Sequence, residues 1–319
     1  MQVHPYWVMY YNLFDKNMNK RLILSLCLSV CFLLEANAQL LYKISGKGLS
    51  RPSYVLGTCH LVNGSFSDSI PGLRNALSGT DQVYGEVVMS EMTSPENMQK
   101  LKASMSLPDS TSLQKLLTED QMARLNAFLK ETIGVDLSNE GLKVQFGQLK
   151  PAALSTQLTI LMYMRKHTGE LNIADLLDQH LQAVAVKSGK KVGGLETLDF
   201  QMNLLYGQPM PRQIEGLMCL VDNGEEMLKM TEEMIKAYYA MDIKTLKQVM
   251  DRKMHNSCDQ TPEEEKAIVY DRNARWARKM PGVMAQASTL FVVGSGHLPG
   301  DKGLLQLLRQ AGYTIEAVK

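Results

Sequence analysis

Tyr54-Val-Leu-Gly-Thr-Cys-His-Leu-Val-Asn-Gly64 and Phe291-Val-Val-Gly-Ser-Gly-His-Leu-Pro-Gly300 follow one pattern. In each, an apolar strand runs into Gly-x-x-His-Leu, and another glycine follows a few residues on. In open α/β sheets, ligands bind beyond the carboxyl ends of the strands. A glycine at that point permits the tight turn that brings a side chain back over the sheet end. Two such units, related by rough internal symmetry, would aim His60 and His297 at one point.

The segments around these stretches complete the pattern. Leu40–Ile44 and Ser53–Leu56 read as the strands of a hairpin turned at Gly46-Lys-Gly48. Pro71–Leu77 reads as a short helix with proline at its start. Gln82–Met89 is an apolar strand with one charge, Glu86. The middle of the chain is helical. Thr118 and Gln121 form a capping signature ahead of an apolar 3.6-period run, Pro151 opens another, and residues 173–188 form a third that ends at Gly189. Lys191–Leu195 is a short strand ending at Glu196. Residues 210–280 are a run of helices whose methionines read as core filler. Ser288–Val293, Gly303–Gln310 and Tyr313–Val318 then repeat the strand, turn, helix, strand order of residues 53–88. The expected fold class is α/β, with a sheet core built from the N- and C-terminal parts and a large helical insertion in the middle.

The 319 residues are 45% hydrophobic and 21% charged, which suits a packed globular chain. The first 38 residues differ from the rest. The basic Met18-Asn-Lys-Arg21 precedes an apolar run, Leu22–Leu34, and then Ala36-Asn-Ala38, in the order of a secretory signal peptide. The expectation is therefore a signal peptide over 1–38, with residues 1–17 compatible with a mis-called start before Met18, and a single domain over 39–319. Export, to the periplasm or beyond, follows, with membrane contact only through the signal peptide. The net charge is +1, and residues 39–319 carry equal numbers of basic and acidic side chains. That balance argues against nucleic acid as a partner. Cys59, Cys219 and Cys258 remain beyond the signal. An exported chain permits a disulfide. Cys219–Cys258 is the candidate pair, because Cys59 lies inside the histidine motif, but spacing alone leaves the bridge open.

Imidazole serves both transition-metal binding and general acid–base work. An ion on His60 and His297 would want a third ligand. Glu86 is the candidate, because an isolated carboxylate in an apolar strand is costly unless it is paired or coordinated. Glu86 is equally placed as a general base. The chain has no His-Glu-x-x-His motif, no Cys-x-x-Cys motif, no dinucleotide fingerprint and no nucleophile elbow.

Gly57-Thr-Cys-His60, the strand with Glu86, Gly194-Leu-Glu-Thr197, Asp271-Arg-Asn273 with Trp276, Val293-Gly-Ser-Gly-His-Leu-Pro-Gly300 and the Gly303–Gly312 block stand in one order. Together they resemble the motif series of the TraB/GumN family, over roughly residues 40–319. The resemblance implies kinship with TIKI-type proteases and, more remotely, with haem-iron-binding proteins and erythromycin esterases. It implies a site of His60, Glu86 and His297, acting as metal ligands and catalytic groups, and a divalent ion such as manganese or cobalt. Glu196 is a candidate to orient the ligating side chains. Arg272 is a candidate to hold a substrate carboxylate or an oxyanion. Each is equally readable as half of a structural ion pair. The leading expectation is an exported, metal-dependent, peptidase-like hydrolase with a peptide or protein substrate. Its alternative is a non-catalytic periplasmic binding protein that sequesters a peptide, a metal or a haem.

Overall fold

The structure is a computed structural model and describes residues 39–319. The expected signal peptide lies outside the described residues. Six strands form one mixed sheet: β1 (Leu41–Ser45), β2 (Ser53–Thr58), β3 (Gln82–Gly85), β4 (Lys191–Gly194), β5 (Thr289–Gly294) and β6 (Thr314–Ala317). Their order is β4-β3-β5-β2-β1-β6. The first four in that order are mutually parallel, and β1 runs antiparallel to both β2 and β6. The two histidine-bearing strands, β2 and β5, are neighbours, with Thr58 opposite Gly294.

Strand alternation sorts the core into two faces. Val55, Tyr84, Phe291 and Val293 pack with Trp276, Met280, Leu304 and Leu308, so helices Asp271–Gln286 and Leu304–Gln310 cover one face. Leu56, Val83, Leu290 and Val292 pack with Leu73, Leu177, Leu181 and Tyr238 on the other. This gives a three-layer α/β/α arrangement. A third apolar cluster, which includes Leu113, Leu125, Leu129, Phe146, Leu158 and Leu217, lies wholly within the helical middle. The methionines behave as filler there and beneath the sheet, with Met218, Met280 and Met284 buried.

Several elements depart from their expected ends. The hairpin forms, and Gly46, Lys47 and Gly48 all take positive φ at its turn. The first helix begins at Leu73, because Gly72 adopts the left-handed conformation and holds the Pro71-Gly72 turn outside it. The strand expected to reach Met89 stops at Gly85. Beyond it, the Gln182 side chain donates to the Val87 carbonyl and accepts from the Met89 N–H, which bends the chain away from the sheet. The capping box at Thr118 and Gln121 forms. Cys219 and Cys258 are bridged, with their Cα atoms 5.4 Å apart. Among the described residues, no helix is long and apolar enough to cross a membrane.

Candidate active site

Each of the four parallel strands ends at or just past a glycine, and each delivers one polar side chain from its carboxyl end: His60 after β2, Glu86 after β3, Glu196 after β4 and His297 after β5. The pairing continues one step past the strands, since the Glu196 N–H donates to the Glu86 carbonyl at 2.8 Å. Helix Asp271–Gln286 adds Arg272, Asn273 and Trp276 from the adjoining layer.

Glu86 is buried, yet both of its oxygens are satisfied. Oε1 accepts from the Gly294 N–H at 2.8 Å. Oε2 accepts from Gln201 at 3.1 Å and from Arg272. Burial pushes its pKa up, but Arg272, then His297 and His60, outweigh that and hold it at about 2. Glu196 accepts from Gln201 at 3.0 Å, from Trp276 at 3.2 Å and from Arg272 at 2.6 Å. Arg272 is 6% exposed. Its Nε reaches Glu196, one terminal nitrogen reaches both carboxylates, and the other reaches the Ile268 carbonyl and His297. All five guanidinium N–H donors are thus spent inside the protein, and none is left for a substrate carboxylate or an oxyanion. In this arrangement Glu196 and Arg272 form an ion pair.

The tautomer of His297 follows from its neighbours. Asn273 Nδ2 donates to the carbonyls of His297 (3.2 Å) and Lys302 (2.9 Å), which fixes the amide and leaves Oδ1 as an acceptor. His297 Nδ1, 2.8 Å from that oxygen, must donate. Its Nε2 therefore carries the lone pair and accepts from Arg272 at 3.0 Å. Burial is the main cause of a pKa lowered to about 4, so the ring is neutral near pH 7. His297 Nε2 stands 3.9 Å from Glu86 Oε1.

His60 is held differently. Its Nδ1 lies 3.1 Å from Asp178, which also accepts from Thr58 at 2.6 Å. The ring is 70% exposed, and no protein group bonds its Nε2 among the described residues. Asp178 raises its pKa, although water around the ring screens part of that effect. The charge of His60 acts on both Glu86 and His297, so the three sequence candidates share one electrostatic neighbourhood. Cys59 turns the other way. It packs into the apolar cluster behind β2, and burial lifts its thiol to about 11, which makes it a poor thiolate donor. Among the described residues, no three His, Cys, Asp or Glu side chains converge closely enough to hold a metal ion.

Sequence reasoning missed Asp178, Gln201 and the part played by Asn273. Asp178 had a usable signal: at helical spacing from Leu181 and Ala185 and next to Leu177, it is a carboxylate on the apolar face of its helix, as Glu86 is a lone charge in an apolar run. His167 and His180, outside any motif, pair with local carboxylates, His167 with Glu170 and Glu232 and His180 with Asp175.

Fold and cluster together define an α/β protein with a polar site across the carboxyl ends of its parallel strands. The chain belongs to the TraB/PrgY/gumN family, whose model matches residues 40–317. It is 24% identical to a zebrafish (Danio rerio) protein named Metalloprotease TIKI2, over 83% of this chain and 58% of that protein. It is 24% identical to Metalloprotease TIKI1 of Homo sapiens, over 83% and 59%, and 22% identical to a Metalloprotease TIKI homolog of Nematostella vectensis, over 84% and 65%. The chain thus spans less than two thirds of the length of these relatives. No solved structure matches it.

Proposed function

We propose that this chain is an exported peptidase-like hydrolase with His60, Glu86 and His297 as its working site and a peptide or protein as its substrate. The observation that carries the reading is the placement of one polar side chain just past the end of each of four neighbouring parallel strands, with His60 alone open to solvent. His60, oriented through Nδ1 by Asp178, presents Nε2 for proton transfer, the arrangement of an acid–base histidine. The relatives' names support proteolysis. The Cys219–Cys258 bridge supports export, since disulfides persist in oxidising compartments. Incubation of a peptide library with wild type and His297→Ala, read by mass spectrometry, tests the activity. Cleavage by wild type alone is expected, and equal cleavage by both sinks the assignment. The same assay separates the carrier alternative, which the complete internal pairing of Glu86 and Arg272 favours: a carrier of peptide, metal or haem leaves the library intact. For export, the N-terminus of protein recovered outside the cytoplasm should be Gln39. A protein that stays in the cytoplasm with residues 1–38 attached contradicts it.

The relatives' names also imply a divalent ion, and the family resemblance points to manganese or cobalt. Two imidazoles and a carboxylate are the right donor types. Their arrangement is not that of an ion site. The lone pair of His297 and the Oε2 of Glu86 already meet Arg272, and Oε1 of Glu86 meets the Gly294 N–H. The side chains as they stand do not fit an ion, and no step of this reading runs through one.

A further inference from the structure

A divalent ion held by Glu86 and His297 would need the Glu86 carboxylate and the His297 Nε2 lone pair to face a common empty point. The point they face holds a guanidinium. Arg272 donates to Glu86, Glu196 and His297 at once, and its fifth N–H is tied to the Ile268 carbonyl. The guanidinium carbon lies over the Trp276 ring, 4.6 Å from its centre. The arm is therefore clamped on every side rather than laid loosely across the site. Asn273, the next residue on the same helix, sets the tautomer that turns the His297 lone pair toward it. An ion at the usual ligand distance of about 2 Å from these atoms would stand against the guanidinium, like charge to like.

We infer that Arg272 is the resident cation of this site, so that the wild-type cluster takes no divalent ion, and that removal of the guanidinium frees Glu86, Glu196 and His297 to draw in from their present spacing around one. Two carboxylates and a neutral imidazole, once freed of Arg272, form a donor set suited to first-row ions. Asn273 orients the His297 ring from behind in the way that ligating histidines are usually held. The inference deepens the functional reading of the same site, but its test reads ion binding rather than cleavage, so either can fail alone.

The test is cobalt(II) titration of the purified protein, followed by visible absorption and by metal content after dialysis. Wild type is compared with Arg272→Met, with Arg272→Met carrying Glu86→Gln, and with the single variants Glu86→Gln and His297→Ala. Wild type should retain no cobalt and show no ligand-field band. Arg272→Met should take up one equivalent with such a band, and the double variant should lose it. One equivalent in wild type that disappears in Glu86→Gln or His297→Ala overturns the inference. So does a folded Arg272→Met, with a cooperative melt, that binds none. If Arg272→Met does not fold, the wild-type titration decides alone, with retention of an equivalent at Glu86 and His297 against the inference and its absence in favour.

Discussion

His60 and His297 come from the same motif yet sit in opposite environments. His297 is buried, neutral and fully bonded, while His60 is open and braced by a carboxylate. The Asp178 contact should keep the imidazole of His60 protonated above the ordinary 6.5. In Asp178→Asn its pKa should fall back toward that value, as read by NMR titration of the ring protons. An unchanged titration would show that Asp178 does not raise it. The contribution of His60 to stability is complete below about 6.5 and fades as pH rises through the raised value. Glu86 was legible in the sequence because a lone charge in an apolar strand demands a partner. The identity of that partner was not. Arg272 is on a helix far along the chain, and only the packing of that helix on the sheet brings its guanidinium to Glu86.

At the scale of elements, the histidine turns depend on close backbone approach. A Cβ on Gly57 would come within 2.9 Å of Ser295 Cα and 2.8 Å of Leu298 Cδ1, so β2 and the turn after β5 meet only because position 57 has no side chain. Gly57→Ala should cost about 1–3 kcal/mol in chemical denaturation. Gly79→Ala, with nothing within 4 Å of the new methyl, should stay within about 0.5 kcal/mol of wild type or gain slightly. Equal losses at both positions would contradict the close approach. The strand periods and the Gly-x-x-His pair gave away β2 and β5 and their placement at a sheet end. The end of β3 was hidden, because the Gln182 side chain that sets it comes from the helical middle of the chain. The partner of Asp178, on the same helix as Gln182, was hidden for the same reason: periodicity reads the element, not the distant group that it meets.

Across the molecule, two tests concern stability. The Cys219–Cys258 bridge closes a loop with a sequence separation of 39 residues, tying the long helix Met210–Tyr239 to the segment before Pro262. Its reduction should lower unfolding stability by about 2–4 kcal/mol. Identical denaturation curves with and without reductant would show that the bridge contributes nothing. The buried cluster sets the response to acid. His297, with a pKa of about 4 against 6.5 when unfolded, and Glu86, about 2 against 4.5, both bind protons more readily in the unfolded chain. Stability should therefore fall as pH drops below about 6.5, and more steeply below 4.5. A melting temperature that is flat from pH 7 to pH 4 would contradict the buried, neutral state of His297.

The central claim is that His60, open above a self-paired cluster, performs chemistry on a peptide. The direct measurement is kcat/KM on a peptide that wild type cleaves, compared with His60→Ala that melts at the same temperature. Loss of cleavage in His60→Ala, of at least about a hundredfold as for removal of an acid–base group, is expected. Cleavage by His60→Ala at the wild-type rate would contradict it.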